Sequence, residues 1–227
     1  MIKVIKDNVK RVLDNIAEAA VASGRKPEDV TLVAVTKTVT DKEAQEVMDA
    51  GVVTLGENRV QSLLDKYEVL GDNPTWHLIG HLQTNKVKYI ADKVSLIHSV
   101  ESLKLAEEIN RKFSEAKRTA EILVQVNVSG EESKFGATPF DTFDLIEEIS
   151  KLENVKVKGL MTMAPLSATP DECKKYFYEL KKLSCDIADK KYQNVDMQHL
   201  SMGMSGDYKE AISEGATIVR VGSALFN

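Results

Sequence analysis

Short apolar segments alternate with amphipathic segments along the whole chain, and this alternation constrains the fold more than any other feature. The chain is predicted to open with a helix over residues 2–23. Eight strand-like segments follow, and most of the segments between them repeat their apolar residues every three or four positions, as helices do. The predicted strands cover residues 31–37, 52–58, 77–80, 94–100, 121–128, 157–163, 198–203 and 217–226.

Eight successive β/α units predict an α/β protein with a single (β/α)8 TIM barrel and an extra N-terminal helix, in one domain over residues 1–227. The length of 227 residues is close to the roughly 250 that are typical of this barrel. The alternative is an open doubly wound sheet, which normally has a glycine-rich turn after its first strand. Residues 36–40 occupy that turn and include no glycine. The sequence therefore favours the barrel.

Composition excludes several classes of partner and location. A net charge of -5 argues against general nucleic-acid binding, which needs a basic face. No apolar run approaches the ~18 residues of a membrane span, and the first residues do not resemble a secretion signal, so we expect a cytoplasmic protein. Cys173 and Cys185 fall in one predicted helix over residues 170–190, about 18 Å apart, which is too far for a disulfide.

Lys37 is the first candidate functional residue, because it ends the first predicted strand and ligands of such barrels bind at the carboxyl ends of the strands. A lysine partly stripped of water has more free amine, which can condense with a carbonyl. The alternative is an ordinary rim lysine with its stem on apolar surface and its ammonium in water. The first strand alone cannot separate the two interpretations.

The ends of the last two predicted strands suggest a phosphate-binding cup. Gly203 and Gly206 would let the backbone approach an anion, and the hydroxyl of Ser205 could bind it or cap a helix beginning at Asp207. Residues 222–223 supply a matching Gly-Ser pair from the last strand. Barrels of this class often hold phosphate at these two strand ends. The alternative is a serine-capped helix beside a glycine-containing turn.

Arg220 is a second candidate. Strand alternation places Ile218, Arg220 and Gly222 on one face, and if that face looks into the barrel, Arg220 is a buried cation that needs an acceptor. Glu57 could provide it, and so could the lone pair of a heteroaromatic ring nitrogen. The sequence leaves both possibilities open.

The four histidines are weaker candidates. His77 and His81 have the spacing of a helical zinc pair, but Leu78 stands where a glutamate would be needed and the segment is predicted to be a strand, so no metal site is expected. His98 and His199 are interpreted first as packing or hydrogen-bonding residues.

Six short segments recur in a recognisable order: residues 33–37, 56–61, 76–86, 159–163, 200–205 and 219–223. Together they closely resemble the pyridoxal 5'-phosphate homeostasis proteins, single-domain barrels related to the barrel half of alanine racemase. The matches span nearly the whole chain. The resemblance implies the cofactor pyridoxal 5'-phosphate.

The resemblance also implies a set of cofactor-binding residues. Lys37 would form the Schiff base, and the phosphate would lie on Ser205, Gly222 and Ser223, with help from the backbone of Met204 and Gly203. Arg220 would face the pyridine nitrogen. Asn58 and His199 would lie near the ring. The implied set is Lys37, Asn58, His199, Met204, Ser205, Arg220, Gly222 and Ser223.

The resemblance implies a carrier without catalytic turnover that buffers or delivers pyridoxal phosphate. An arginine donates to the ring nitrogen and leaves it unprotonated, which weakens the cofactor as an electron sink. The related racemases also need a second domain with an acid/base tyrosine, for which we expect no residues to remain. The alternatives are a pyridoxal-phosphate racemase or decarboxylase, and an aldolase using Lys37 without cofactor. Further expectations are a monomer and transient contact with apo-enzymes that need the cofactor.

Overall fold

The computed structural model describes residues 2–131 and 134–227, which form a closed barrel of eight parallel strands. The strands follow one another around the barrel in chain order, and β8 pairs with β1. This confirms the predicted (β/α)8 fold. The strands are β1 Thr31–Val35, β2 Thr54–Glu57, β3 Thr75–Leu78, β4 Leu96–Val100, β5 Ala120–Gln125, β6 Val155–Met161, β7 Val195–Ser201 and β8 Ile218–Val221.

Helices cover the outside of the barrel. Between β3 and β4 the chain forms a short 3-10 helix, Thr84–Tyr89, in place of an α-helix, and a second 3-10 helix, Pro27–Asp29, precedes β1. Within the described ranges, no helix has both the length and the apolar character needed to cross a bilayer. The α-helices are α1 Ile2–Ala22, α2 Asp41–Asp49, α3 Val60–Leu70, α4 Leu103–Glu115, α5 Asp141–Ile149, α6 Pro170–Ala188, α7 Tyr208–Ser213 and α8 Ser223–Phe226.

The extra N-terminal helix, α1, is confirmed and lies across the junction where the barrel closes. Its buried apolar residues recur at three and four and pack against α2, α7 and α8. The side chain of Asn8 donates to the carbonyls of Leu225 and Asn227, so α1 also holds the last turn of the described chain. The buried positions of α1 are Ile5, Val9, Val12, Ile16 and Ala20.

The strands separate two apolar regions. The larger lies between the barrel and its helices, and a small cluster fills the barrel interior. Four buried polar side chains share the interior with this cluster: His77, His98, Ser201 and Arg220. The interior cluster consists of Val33, Leu96, Leu123, Met161 and Ile218.

The predicted last strand is too long. β8 ends at Val221, and residues predicted as its second half form the short helix α8. The chain leaves the extended conformation at Gly222 (φ -121°, ψ -80°), and Leu225 then turns back into the core. An apolar run of three residues fits a strand or a single helical turn equally well, so the sequence pattern could not separate them.

Candidate functional site

A cavity of about 880 Å³ opens at the carboxyl ends of the strands, where ligands of such barrels bind. Residues from the ends of β1, β2, β7 and β8 meet at its wall. Seven of the eight sequence-predicted residues line it: Lys37, Asn58, Met204, Ser205, Arg220, Gly222 and Ser223.

His199 is the predicted residue that the structure does not bring to this cavity. It lies within β7, two residues before Ser201, and therefore about 6.6 Å further from the rim. There it lines a separate depression with Thr31 and Thr217, beside the starts of β1 and β8. Burial and the charge of Lys158 lower the pKa of this imidazole. We therefore leave His199 out of the candidate site.

Lys37 follows β1 in a turn and is exposed at the cavity mouth. The expectation that the barrel mouth strips this lysine of water is wrong for this structure, because the turn carries its side chain into solvent. The residue before it, Thr36, is fully buried and accepts a backbone hydrogen bond from Val39 at 3.2 Å, which closes the turn. The backbone that carries Lys37 is thus anchored while the side chain is accessible.

A buried ion pair between Glu57 and Lys66 binds Thr36 and so anchors the backbone that carries Lys37. Glu57 Oε1 accepts hydrogen bonds from Thr36 Oγ1 at 2.6 Å and from Lys66 Nζ at 2.7 Å. Lys66 Nζ also donates to the Thr36 carbonyl at 2.9 Å. The sequence analysis missed Lys66. The available signal was its place on the buried stripe of α3, between Leu63 and Leu70.

The same ion pair rules out one of the two acceptors considered for Arg220. Glu57 faces α3 on the outside of the barrel, while its neighbour Gly56 faces the interior, where a Cβ would meet Val33 and Ile79. Arg220 instead donates from Nη1 to Ser201 Oγ at 2.5 Å and from Nη2 to the Thr162 carbonyl at 2.9 Å. Arg220 therefore faces the barrel interior, a direction that the sequence left open, and its acceptors are Ser201 and Thr162 instead of Glu57.

Arg220 is a buried cation at the floor of the cavity, with 3% of its surface exposed. Burial lowers its pKa to about 10, and the opposing effect of Asp207 is smaller. The guanidinium therefore stays charged at neutral pH. It can donate hydrogen bonds to a ligand but cannot accept one.

The hydroxyl of Ser205 links the ends of β7 and β8. Its oxygen accepts from the backbone N–H groups of Gly222 at 3.2 Å and Ala224 at 3.4 Å. It does not cap α7, which begins at Tyr208. The ends of β7 and β8 therefore meet as expected, and the Ser205 side chain, which follows β7, is hydrogen-bonded to the backbone that follows β8.

Asp207 lies beside this pair of strand ends and lines the cavity. Its Oδ1 accepts from the Met204 backbone N–H at 2.6 Å, so that N–H is already engaged. Burial raises the pKa of Asp207, although the Met204 hydrogen bond and Arg220 oppose the shift.

Gly203 serves helix packing and does not line the cavity. It has a φ of 90°, and a Cβ there would come within 2.6 Å of the Ala211 Cβ and 2.9 Å of the Tyr208 Cα. Only glycine lets the end of β7 pack this closely under α7. The expected backbone contribution of Gly203 to an anion is not supported.

Phe135, at the cavity mouth, was not singled out by the sequence. The His81 ring stacks on Phe135, with centroids 4.5 Å apart, and His81 Nδ1 lies 3.2 Å from Glu101 Oε1. The side chain of Gln125 donates to the Phe135 carbonyl at 3.1 Å and holds it at the rim. The stack of His81 on Phe135 joins residues more than fifty positions apart, so local patterns in the sequence do not indicate it.

Comparisons with known proteins agree with this geometry. The family model described as alanine racemase, N-terminal domain, matches residues 8–227. A pyridoxal phosphate homeostasis protein from Aquifex aeolicus is 44% identical over 221 residues, which are 97% of this chain and 96% of that protein.

Solved structures give the same result. A protein of unknown function from Bifidobacterium adolescentis is 37% identical, with a TM-score of 0.95 over 99% of this chain and 95% of that one. PipY from Synechococcus elongatus, solved with pyridoxal phosphate bound, is 35% identical, with a TM-score of 0.83 over 93% of this chain and 100% of that one. The chain therefore belongs to the family of pyridoxal phosphate homeostasis proteins, on the barrel of the alanine racemase N-terminal domain.

Proposed function

We propose that this protein binds pyridoxal 5'-phosphate reversibly through Lys37 and buffers or delivers it in the cytoplasm, without turning over a substrate. One observation carries the proposal: an accessible amine, two hydroxyls and a buried cation converge on one cavity in a member of this family. Lys37, Ser205, Ser223 and Arg220 are these groups. The barrel would act as one cofactor-binding domain.

The cavity wall fits this cofactor chemically. Bound pyridoxal phosphate supplies an aldehyde, which condenses reversibly with an amine with loss of one water. Lys37 is the accessible amine of the wall. At the ends of β7 and β8, Ser205, Gly222 and Ser223 would hold the phosphate, with Met204 beside them. Asn58, from the end of β2, would lie beside the ring.

Arg220 supplies the donor for the ring nitrogen. Of the five N–H bonds of a guanidinium, two have acceptors among the described residues, Ser201 and Thr162. The others are free to meet an acceptor atom in the cavity. A neutral pyridine nitrogen fits such a donor, whereas a protonated one would place two cations together.

A carrier suits these residues better than a catalyst. Lys37 is exposed, so water and competing amines can reach the bond that it forms. Arg220 stays charged at neutral pH and does not deliver a proton to the ring, which disfavours carbanion chemistry. We propose that the protein acts as a monomer and that apo-enzymes requiring the cofactor contact it transiently.

The first test is covalent labelling. The protein is loaded with pyridoxal phosphate, reduced with borohydride and digested, and the labelled peptide is identified by mass. We expect one phosphopyridoxyl group, on Lys37. Lys37→Ala should lose the label, while Lys42→Ala, which removes an exposed lysine of α2, should keep it. A label on another lysine, or none, would refute the proposal.

The second test separates a carrier from an enzyme. The loaded protein is incubated with a panel of amino acids in deuterated water, and α-proton exchange is followed by NMR. We expect no exchange beyond that of free pyridoxal phosphate. Rapid exchange with product formation would instead establish a racemase or decarboxylase.

A further inference from the structure

Four polar side chains form a continuous chain inside the barrel, below the cavity. Arg220 Nη1 lies 2.5 Å from Ser201 Oγ, which lies 2.8 Å from His98 Nδ1. His98 Nε2 in turn lies 3.0 Å from His77 Nδ1. All four residues are buried, and the apolar interior cluster lies beside them. We call these residues the interior chain.

Arg220 gives the interior chain a direction. A guanidinium only donates, so Ser201 Oγ must accept from Arg220. The Ser201 hydroxyl has a single proton, and His98 Nδ1 is the only acceptor that the described residues offer it. Ser201 therefore donates to His98 Nδ1, because a buried hydroxyl without an acceptor is costly.

The direction then fixes both histidine tautomers. Since His98 Nδ1 accepts, the proton of this neutral ring is on Nε2, and Nε2–H donates to His77 Nδ1. His77 must likewise carry its proton on Nε2. Each hydrogen bond between members of the interior chain is thus donated in the direction away from the cavity.

The charges around the interior chain favour these neutral rings. Burial lowers the pKa of His98 well below its usual value, and the charges of His77, Arg220 and His199 lower it further. Burial lowers the pKa of His77 to about 4, again with a contribution from His199. Among the described residues, Asp207 is the acidic group that acts on Arg220, and its effect is smaller than that of burial.

We propose that His77, His98 and Ser201 are positioning residues, which hold Arg220 as a fixed hydrogen-bond donor to the cavity and cannot pass a proton to it. A proton moving towards the cavity would have to leave Ser201 for Arg220, which has no lone pair to receive it. The interior chain therefore ends at a donor. A ligand atom facing Arg220 receives a hydrogen bond and no proton.

The nature of that ligand atom rests on the proposed function, under which it is the pyridine nitrogen. The order of the donors does not depend on the identity of the ligand atom, because this order follows from hydrogen bonds within the interior chain. Two measurements keep these claims separate.

The first measurement uses the protein without cofactor. Long-range ¹H–¹⁵N correlation spectra of ¹⁵N-histidine-labelled protein report which ring nitrogen carries the proton. Between about pH 5 and pH 7 we expect His98 and His77 to remain neutral, each with Nε2 protonated and Nδ1 unprotonated. A proton on His98 Nδ1, or a charged His98 in this range, would overturn the inference even if the cofactor binds.

The second measurement uses pyridoxal phosphate labelled with ¹⁵N at the ring. In Ser201→Ala we expect roughly tenfold weaker binding, as when one hydrogen bond to a charged group is lost, and a ring nitrogen that is protonated at higher pH than in the parent. Ser201→Thr keeps the hydroxyl and should restore both properties. An unchanged nitrogen signal in Ser201→Ala would overturn the positioning role.

These results distinguish the two proposals. If the tautomers are as expected but no label reaches Lys37, the proposed function fails and the direction of the interior chain stands. If Ser201→Ala does not fold, the tautomers of the parent protein still decide the inference.

Discussion

Lys66 Nζ and Glu57 Oε1 lie 2.7 Å apart in a buried ion pair between α3 and the barrel. The pair also binds both the hydroxyl and the carbonyl of Thr36, the residue before Lys37. Lys37 is therefore presented at the cavity mouth by a backbone that two buried charges hold in place. The exposed amine and its buried support come from three different secondary-structure elements.

Removing one member of this pair should be costly. Lys66→Met leaves the Glu57 carboxylate buried with only the Thr36 hydroxyl as partner, so we expect the free energy of unfolding to fall by about 3 kcal/mol. Lys66→Met combined with Glu57→Leu should recover most of the loss. Urea denaturation measures both variants, with Lys104→Met on the exposed face of α4 as the control. A single variant as stable as this control would show that the pair is unimportant.

His77 should make stability depend on pH. Burial lowers its folded-state pKa from 6.5 to about 4, so between these values the unfolded chain binds a proton that the folded protein does not. The stability that His77 contributes is thus complete above about pH 6.5 and is lost as the pH falls towards 4, at up to about 1.4 kcal/mol per pH unit. His77→Gln should flatten this part of the curve. A His77→Gln curve that follows that of the parent protein between pH 6.5 and pH 4 would contradict the prediction.

Gly159 should tolerate no side chain. It has a φ of 148°, and a Cβ there would lie 1.9 Å from the His199 carbonyl oxygen, at the place where the register between β6 and β7 shifts. We expect Gly159→Ala to reduce the free energy of unfolding by about 3 kcal/mol or to prevent folding. Gly206→Ala is the matched control, because its Cβ would meet nothing within 4 Å. Equal thermal stability of the two variants would disprove the steric argument.

The two serines of the cavity should contribute to cofactor retention. Ser205→Ala combined with Ser223→Ala removes the two hydroxyls that we propose bind the phosphate, each contributing roughly 1.5 to 3 kcal/mol at most. We expect weaker retention of pyridoxal phosphate in equilibrium dialysis, while Lys37 can still be labelled. Ser114→Ala, at an exposed position of α4, controls for loss of a hydroxyl elsewhere. Retention equal to that of the control would place the phosphate elsewhere.

Much of the candidate site could be predicted because parallel strands bring their carboxyl ends to one rim. Lys37, Ser205 and Arg220 each follow or end a strand that the sequence pattern reveals, so their meeting at one cavity followed from strand order alone. His199 is the predicted residue that does not line this cavity. The resemblance placed it near the cofactor ring, whereas it lies in β7 two residues before the strand ends at Ser201. A shift of two residues along a strand is enough to move a side chain out of the site.

Periodicity in the sequence determined the β/α order and the helix α1, since these depend on which residues must leave water. It placed Arg220 on one strand face with Ile218 and Gly222, but it did not say that this face is the inner one. Which polar groups meet was decided only by the tertiary structure. Glu57 of β2 pairs with Lys66 of α3, and Ser201 contacts His98 across the barrel interior. The physical reason is that such contacts depend on the register and closure of the barrel, and no local pattern in the sequence records either.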